Sequence, residues 1–127
     1  MKNVLVVDDE TLILEMLQRM FGSMGFDVYT ANSWTQAAEL YRTSFFDLVL
    51  LDVVMPGVCG FQAAEEIKRR NPGQKVVLIT GLGREMTEGG AQERGVDVDD
   101  YLFKPFTFGS VKGMLENVLS LEESVWM

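Results

Sequence analysis

Five polar side chains stand directly after, or at the end of, short apolar runs. Asp8 and Asp9 follow residues 4–7, Asp52 follows 48–51, Thr80 follows 76–79 and Lys104 follows 101–103. The chain has no histidine and a single cysteine, Cys59, so its chemistry is confined to carboxylates, hydroxyls, Lys, Arg and one thiol. Three carboxylates brought close together repel one another, and one would take up a proton unless a cation joined them. An all-oxygen set suits Mg²⁺, which keeps positions open for phosphate oxygens. The lack of histidine makes zinc improbable. Lys104 would add a point charge for the same oxygens and Thr80 a hydroxyl donor. Gly81 leaves room for a tetrahedral group. One Asp at a strand end is ordinarily a turn or cap residue; the coincidence at four strand ends favours a site.

The elements that must bring these residues together are legible in the hydrophobic pattern. The runs at 4–7, 48–51 and 76–79 are continuous rather than alternating, as expected for parallel strands covered on both faces. Residues 27–31 and 101–103 are shorter strand candidates. Leu12, Ile13, Met16, Leu17, Met20 and Phe21 have the spacing of one apolar helix face. Ala37, Ala38 and Tyr41 form a weaker one, with Ser33 as its N-cap. Ala63, Ala64 and Ile67 mark a third helix, ended near Asn71-Pro72-Gly73. Phe108, Val111, Met114, Leu115, Val118 and Leu119 mark the last, capped by Thr107. Strand–helix repeated five times predicts an α/β domain over residues 1–127, with right-handed crossovers and a doubly wound parallel sheet. Such sheets place their sites at the carboxyl ends of the strands. Residues 84–95 are the weak segment: two glycines, Gly89 and Gly90, cost a helix roughly 2 kcal/mol relative to alanines. They predict either a frayed fourth helix or a segment that rearranges when the site is occupied.

Composition bounds the rest. With 127 residues and 47% apolar content, the chain can bury one core without metal clips or disulfides. No secretory signal precedes the first strand, and no stretch approaches a membrane span, so a soluble cytoplasmic protein is expected. The net charge of −8, from 11 basic and 19 acidic residues, would repel nucleic acid phosphates. Direct DNA or RNA binding by this chain is not expected.

The sequence resembles the receiver domain of two-component response regulators over residues 3 to about 121. The resemblance rests on Val-Val-Asp-Asp-Glu at 6–10, Leu-Leu-Asp-Val-Val-Met-Pro-Gly from residue 50 with Gly60 after it, Thr80-Gly81 and Lys104-Pro105-Phe106. Together and in this order these motifs are highly specific. The resemblance implies a flavodoxin-like (βα)5 three-layer sandwich with strand order 2-1-3-4-5. It implies that Asp52 is a phosphoacceptor, loaded from the phosphohistidine of a histidine kinase or phosphotransfer protein. Asp9 and Asp52 would be direct Mg²⁺ ligands, Asp8 would act largely through water, and the Val54 carbonyl would be a further ligand. Lys104 would pair with phosphoryl oxygens, Thr80 would bond one of them, and Tyr101 would be a switch aromatic. The Lys104-Pro105 bond would be cis. A partner or output domain would meet the surface of the fourth helix, fifth strand and fifth helix, where a phosphorylated chain could also form a homodimer.

Two departures from the family pattern bear on behaviour. Val54 and Leu82 are apolar where the family's water approaches, which predicts a slowly hydrolysing phosphoryl-Asp52; the Gly89-Gly90 pair puts the fourth helix in doubt. Cys59 is expected to be structural or incidental, and Trp126 and Met127 form an apolar tip. The alternative reading is an Mg²⁺-dependent phosphohydrolase of the haloacid dehalogenase type. Against it, Asp8 is followed two positions on by Glu10 rather than Asp, and no substrate-capping insertion is present. A degenerate receiver serving only as a docking surface is disfavoured by the full residue set. No output domain fits in 127 residues, so the chain is expected to act through a partner, to pass phosphate along a relay, or to be the N-terminal piece of a longer regulator.

Overall fold

The computed structural model describes residues 2–120. In chain order the elements are β1 (Asn3–Val7), α1 (Thr11–Ser23), β2 (Asp27–Ala31), α2 (Trp34–Thr43), β3 (Leu48–Asp52), α3 (Gly60–Arg70), β4 (Val76–Thr80), α4 (Arg84–Arg94), β5 (Asp100–Phe103) and α5 (Phe108–Leu119). The five strands are all parallel, in the order β2-β1-β3-β4-β5. The fold is therefore the flavodoxin-like α/β arrangement that the resemblance implies.

The continuous apolar strands have a direct cause. Successive side chains of a strand point to opposite faces, and here both faces carry a core. Leu5, Val7, Val49, Leu51, Val76 and Leu78 join one cluster with Ala37 of α2 and Ala63, Ala64 and Ile67 of α3. Val4, Val6, Leu48, Leu50, Val77 and Ile79 join the other with Leu17 and Phe21 of α1 and Val111 and Leu115 of α5. Each such buried Val, Leu or Ile contributes about 1.5–3 kcal/mol relative to exposure. The strand register then aligns the functional ends, because Val7 lies beside Leu51, Asp52 beside Ile79 and Thr80 beside Phe103.

Local signals account for several boundaries. The Ser33 hydroxyl accepts the Gln36 N–H at the start of α2, and Thr107 accepts the Ser110 N–H at the start of α5. Asn71 closes α3. The expected apolar face of α1 is displaced: Leu17 and Phe21 are buried with Ile13, Leu14 and Met20 beside them, while Leu12 is 75% and Met16 39% exposed. The sheet takes the stripe centred on Leu17, and residues 12 and 16 fall on its outer flank.

The fourth helix is a full 11 residues, which corrects the doubt that its glycines raised. Tertiary packing outweighs local propensity here. Thr87 and Ala91 are buried on the inner face of the helix, and Gly90 lets it approach α3 closely. A Cβ on Gly90 would lie 2.8 Å from Phe61 Cζ, whereas one on Gly89 would meet nothing within 4 Å. Gly95 in the left-handed conformation ends the helix.

Candidate functional site

Asp52 is the last residue of β3, and only 3% of it is exposed. Its position is set from behind by Gly60, the first residue of α3. A Cβ there would overlap the Asp52 carbonyl oxygen and lie 2.8 Å from Val53 Cα. Only glycine allows the helix to start this close, with its N–H donating to Val53 O at 2.9 Å. Asp8, just past β1, is fully buried. Its Oδ1 accepts the Glu10 N–H at 2.9 Å, which leaves Oδ2 to face the Lys104 ammonium.

Lys104 enters from the other side, just past β5. Its backbone N–H donates to Thr80 O at 2.7 Å, and the Lys104-Pro105 peptide is cis. Its Nζ lies 2.6 Å from Glu10 Oε1, 3.0 Å from Asp8 Oδ2 and 3.6 Å from Asp52 Oδ2. Thr80 is fully buried, and its Oγ accepts the Leu82 N–H at 2.9 Å.

This packing leaves a charge imbalance. Burial, and then the negative charge of Asp8, push the Asp52 carboxyl up to about 7; Lys104 and the Val54 N–H oppose that rise. Burial alone would lower the Lys104 ammonium, but Glu10, Asp8 and Asp52 outweigh it and hold the group above its ordinary value. Asp8 Oδ2 is buried with no hydrogen-bond partner among the described residues. Its 3.0 Å contact with Lys104 is an ion pair without hydrogen-bond alignment. Oxygens of Asp8, Glu10 and Asp52 lie within 4.8 Å of one another. A buried oxygen with no partner among the described residues but the Lys104 ammonium, in an all-carboxylate set, fits a hard divalent cation, which would relieve the repulsion that raises Asp52.

The sequence-chosen residues are not all in one place. Asp8, Asp52, Thr80 and Lys104 converge at the carboxyl edge of the sheet. Asp9 is exposed and is not among the three clustered acids. Val54 is 61% exposed at the mouth, its N–H 3.4 Å from Asp52 Oδ1. Tyr101 is half-buried; its ring stacks on Phe103 at 5.9 Å between centroids, and burial raises its hydroxyl pKa. Arg84, from the first turn of α4, lies over the same Phe103 ring. Glu10 was not singled out from the sequence. Its signal was present, an acid beside two others, but the contact with Lys104 depends on how the chain turns after β1. Cys59 is a free thiol directly before α3, and Trp126 and Met127 lie outside the described residues.

Comparison with known proteins identifies the family. A family model described as the response regulator receiver domain matches residues 4–116. The chain belongs to that family: it is a receiver domain of the two-component signalling type. Among individual relatives it is similar to the transcriptional regulatory protein ZraR of Escherichia coli K12, 37% identical over 123 residues. That match covers 97% of this chain and 27% of ZraR. It is 30% identical to the probable transcriptional regulator ycf27 of Porphyra purpurea, covering 98% of this chain and 50% of that one. The chain thus spans between about a quarter and a half of these relatives' lengths.

Among solved structures it is similar to a receiver domain from Clostridium thermocellum, with a TM-score of 0.83, 29% identity, and coverage of 94% of this chain and 95% of that one. It also matches the response regulator TrrA of Thermotoga maritima, solved in complex with Mg(2+)-BeF. There the TM-score is 0.80 and the identity 32%, covering 93% of this chain and 99% of TrrA. The family match sets aside the phosphohydrolase alternative. No helix among the described residues is long and apolar enough to cross a membrane.

Proposed function

We propose that Asp52 accepts a phosphoryl group from the phosphohistidine of a sensor histidine kinase or phosphotransfer protein, and that the modified residue resets the surface formed by α4, β5 and α5. The observation that carries this reading is the buried Asp8–Asp52 pair with the single Lys104 ammonium across from it, 3.0 Å from Asp8 Oδ2 and 3.6 Å from Asp52 Oδ2. One ammonium against two buried carboxylates, with Glu10 as a third claimant, leaves negative charge in excess, which a further cation or an electrophilic phosphorus would offset.

In the transfer, an Asp52 carboxylate oxygen forms the bond to phosphorus while the phosphorus–nitrogen bond of the donor breaks, its electron pair returning to the imidazole ring. Asp9 and Asp52, the Val54 carbonyl and, through water, Asp8 would hold Mg²⁺. When bound, that ion lets Asp52 ionise and neutralises charge on the equatorial oxygens. Lys104 contributes a second positive charge to those oxygens. Thr80 turns its hydroxyl toward one of them and so gives up the Leu82 N–H. The β4–α4 loop follows Thr80, and Tyr101 moves into the space it leaves. A local charge change thereby reaches α4, whose first turn is tied to β5 through Arg84 on Phe103.

Val54 and Leu82 flank the phosphoryl position with apolar surface and slow the attack of water, giving a long-lived signal. A partner protein, an output domain or a second copy of the phosphorylated chain meets the α4–β5–α5 face. The net charge of −8 disfavours direct contact with DNA. A link to transcription, of the kind the names ZraR and ycf27 carry, would run through another domain or partner. The expected compartment is the cytoplasm.

The test is incubation with a small acyl phosphate donor and Mg²⁺, followed by intact mass measurement. The wild type should gain one phosphoryl group, while Asp52→Asn and an EDTA-treated sample should not. Equal labelling of Asp52→Asn would refute the assignment.

A further inference from the structure

The Lys104 ammonium has three carboxylates in reach, and the shortest contact is not with Asp52. Nζ donates to Glu10 Oε1 at 2.6 Å, a full ångström closer than the 3.6 Å to Asp52 Oδ2. Both partners are anchored through their backbones. The Glu10 N–H is held by Asp8 Oδ1, and the Lys104 N–H by Thr80 O. Glu10 sits at the N-cap of α1 but makes no side-chain cap bond. Its carboxylate reaches instead across the mouth of the site to a residue 94 positions away. What can change is therefore which oxygen the ammonium faces.

We propose that Glu10 is a positioning residue, a latch that holds the Lys104 ammonium closer to its own carboxylate than to Asp52, so that full engagement of a group on Asp52 requires the ammonium to leave Glu10. The inference rests on the reading of Asp52 as phosphoacceptor. A phosphoryl group on Asp52 presents oxygens to the same ammonium, so Glu10 and the phosphoryl oxygens compete for one charge. The Glu10 side chain is 59% exposed, which screens the pair. The latch should therefore change a binding equilibrium by about 2- to 5-fold, the range of solvent-exposed ion pairs. The rival role for this carboxylate is direct ligation of a cation, given its place in the cluster with Asp8 and Asp52.

Fluoroberyllate with Mg²⁺ stands in for a phosphoryl group on a carboxylate and allows a test at equilibrium. Affinity for Mg²⁺ alone, and for fluoroberyllate at saturating Mg²⁺, would be measured by calorimetry and ¹⁹F NMR for wild type, Glu10→Gln and Glu10→Asp. Glu10→Asp keeps the charge but is one methylene short of Lys104, and Asp at this position favours capping α1 instead. The latch is supported if both variants bind fluoroberyllate about 2- to 5-fold tighter at saturating Mg²⁺. The ¹⁵N signal of the Lys104 ammonium, protected in the wild type, should be lost in both. Tightening in Glu10→Gln alone would make the effect one of bulk charge and overturn the latch. Weakened Mg²⁺ binding would make Glu10 a cation ligand and overturn it likewise, as would no change in either variant. A wild type that fails to bind fluoroberyllate at all would refute the phosphoacceptor reading, and the latch with it; urea midpoints control for folding.

Discussion

Replacing Asp52 with Asn should stabilise the metal-free protein, and the effect should grow with pH. The Asp52 carboxyl is pushed up to about 7 by burial and by Asp8, from an ordinary value of 3.8. At 1.36 kcal/mol per tenfold change in proton affinity, that gap corresponds to about 4 kcal/mol at most, and solvent at the mouth of the site screens part of it. The sign follows from linkage. Between these two values the folded protein keeps a proton that the unfolded chain has shed, so stability falls as pH rises through this window and levels off above about 7. At about pH 8 the wild type carries the whole penalty, and at about pH 5.5 roughly half of it. Asn has nearly the same shape and no charge, so Asp52→Asn should exceed the wild type by about 2–4 kcal/mol at the higher pH and by about 1–2 at the lower. Urea denaturation in EDTA at both pH values measures the difference, and other titrating groups cancel between the two proteins. Saturating Mg²⁺ should close most of the gap, since a ligand at a hundred times its Kd adds about 2.7 kcal/mol to the form that binds it. If Asp52→Asn is no more stable than wild type at the higher pH, or if its advantage is independent of pH, the buried carboxylate pair is not strained in the way described.

Other perturbations separate packing from chemistry. Gly89→Ala should stabilise the protein by about 0.5–1 kcal/mol, while Gly90→Ala should not, because its methyl meets Phe61; thermal melts of both would show whether the glycines act through packing. Gly60→Ala should cost about 1–3 kcal/mol or more by forcing α3 off the Asp52–Val53 backbone, with equal stability by urea titration counting against that contact. The double variant Val54→Asn with Leu82→Glu should lose its phosphoryl group faster than wild type, in a decay assay with Mg²⁺ present. Unchanged decay would mean that apolar shielding does not limit hydrolysis.

Much of this molecule could be read from its sequence because its strands are covered on both faces. That geometry makes apolar runs continuous and leaves the first polar residue after each run, Asp8, Asp52, Thr80 or Lys104, near a single edge of the sheet. Caps with local chemistry, Ser33 and Thr107, are legible for a different reason: the bond they make spans three residues. What could not be read depended on distant partners. The cost of Gly90 in a helix is a local quantity, but the Phe61 ring it accommodates belongs to α3. Leu12 and Met16 fit the helical period and yet face outward, because the sheet selects the stripe through Leu17 and Phe21. Asp8, Asp9 and Glu10 are adjacent in sequence, and only the turn after β1 decides that Asp8 goes inward and Glu10 meets Lys104.

Signalling by this domain turns on which residue takes the phosphoryl group. Borohydride reduces an acyl phosphate, and so converts a phosphorylated aspartate to homoserine that peptide mapping can locate. After treatment with an acyl phosphate and Mg²⁺, the reduced residue should be found at position 52 alone, and chelation of Mg²⁺ should abolish it. Reduction at Asp8, Asp9 or any other carboxylate, or undiminished reduction at 52 without the metal, would contradict the account.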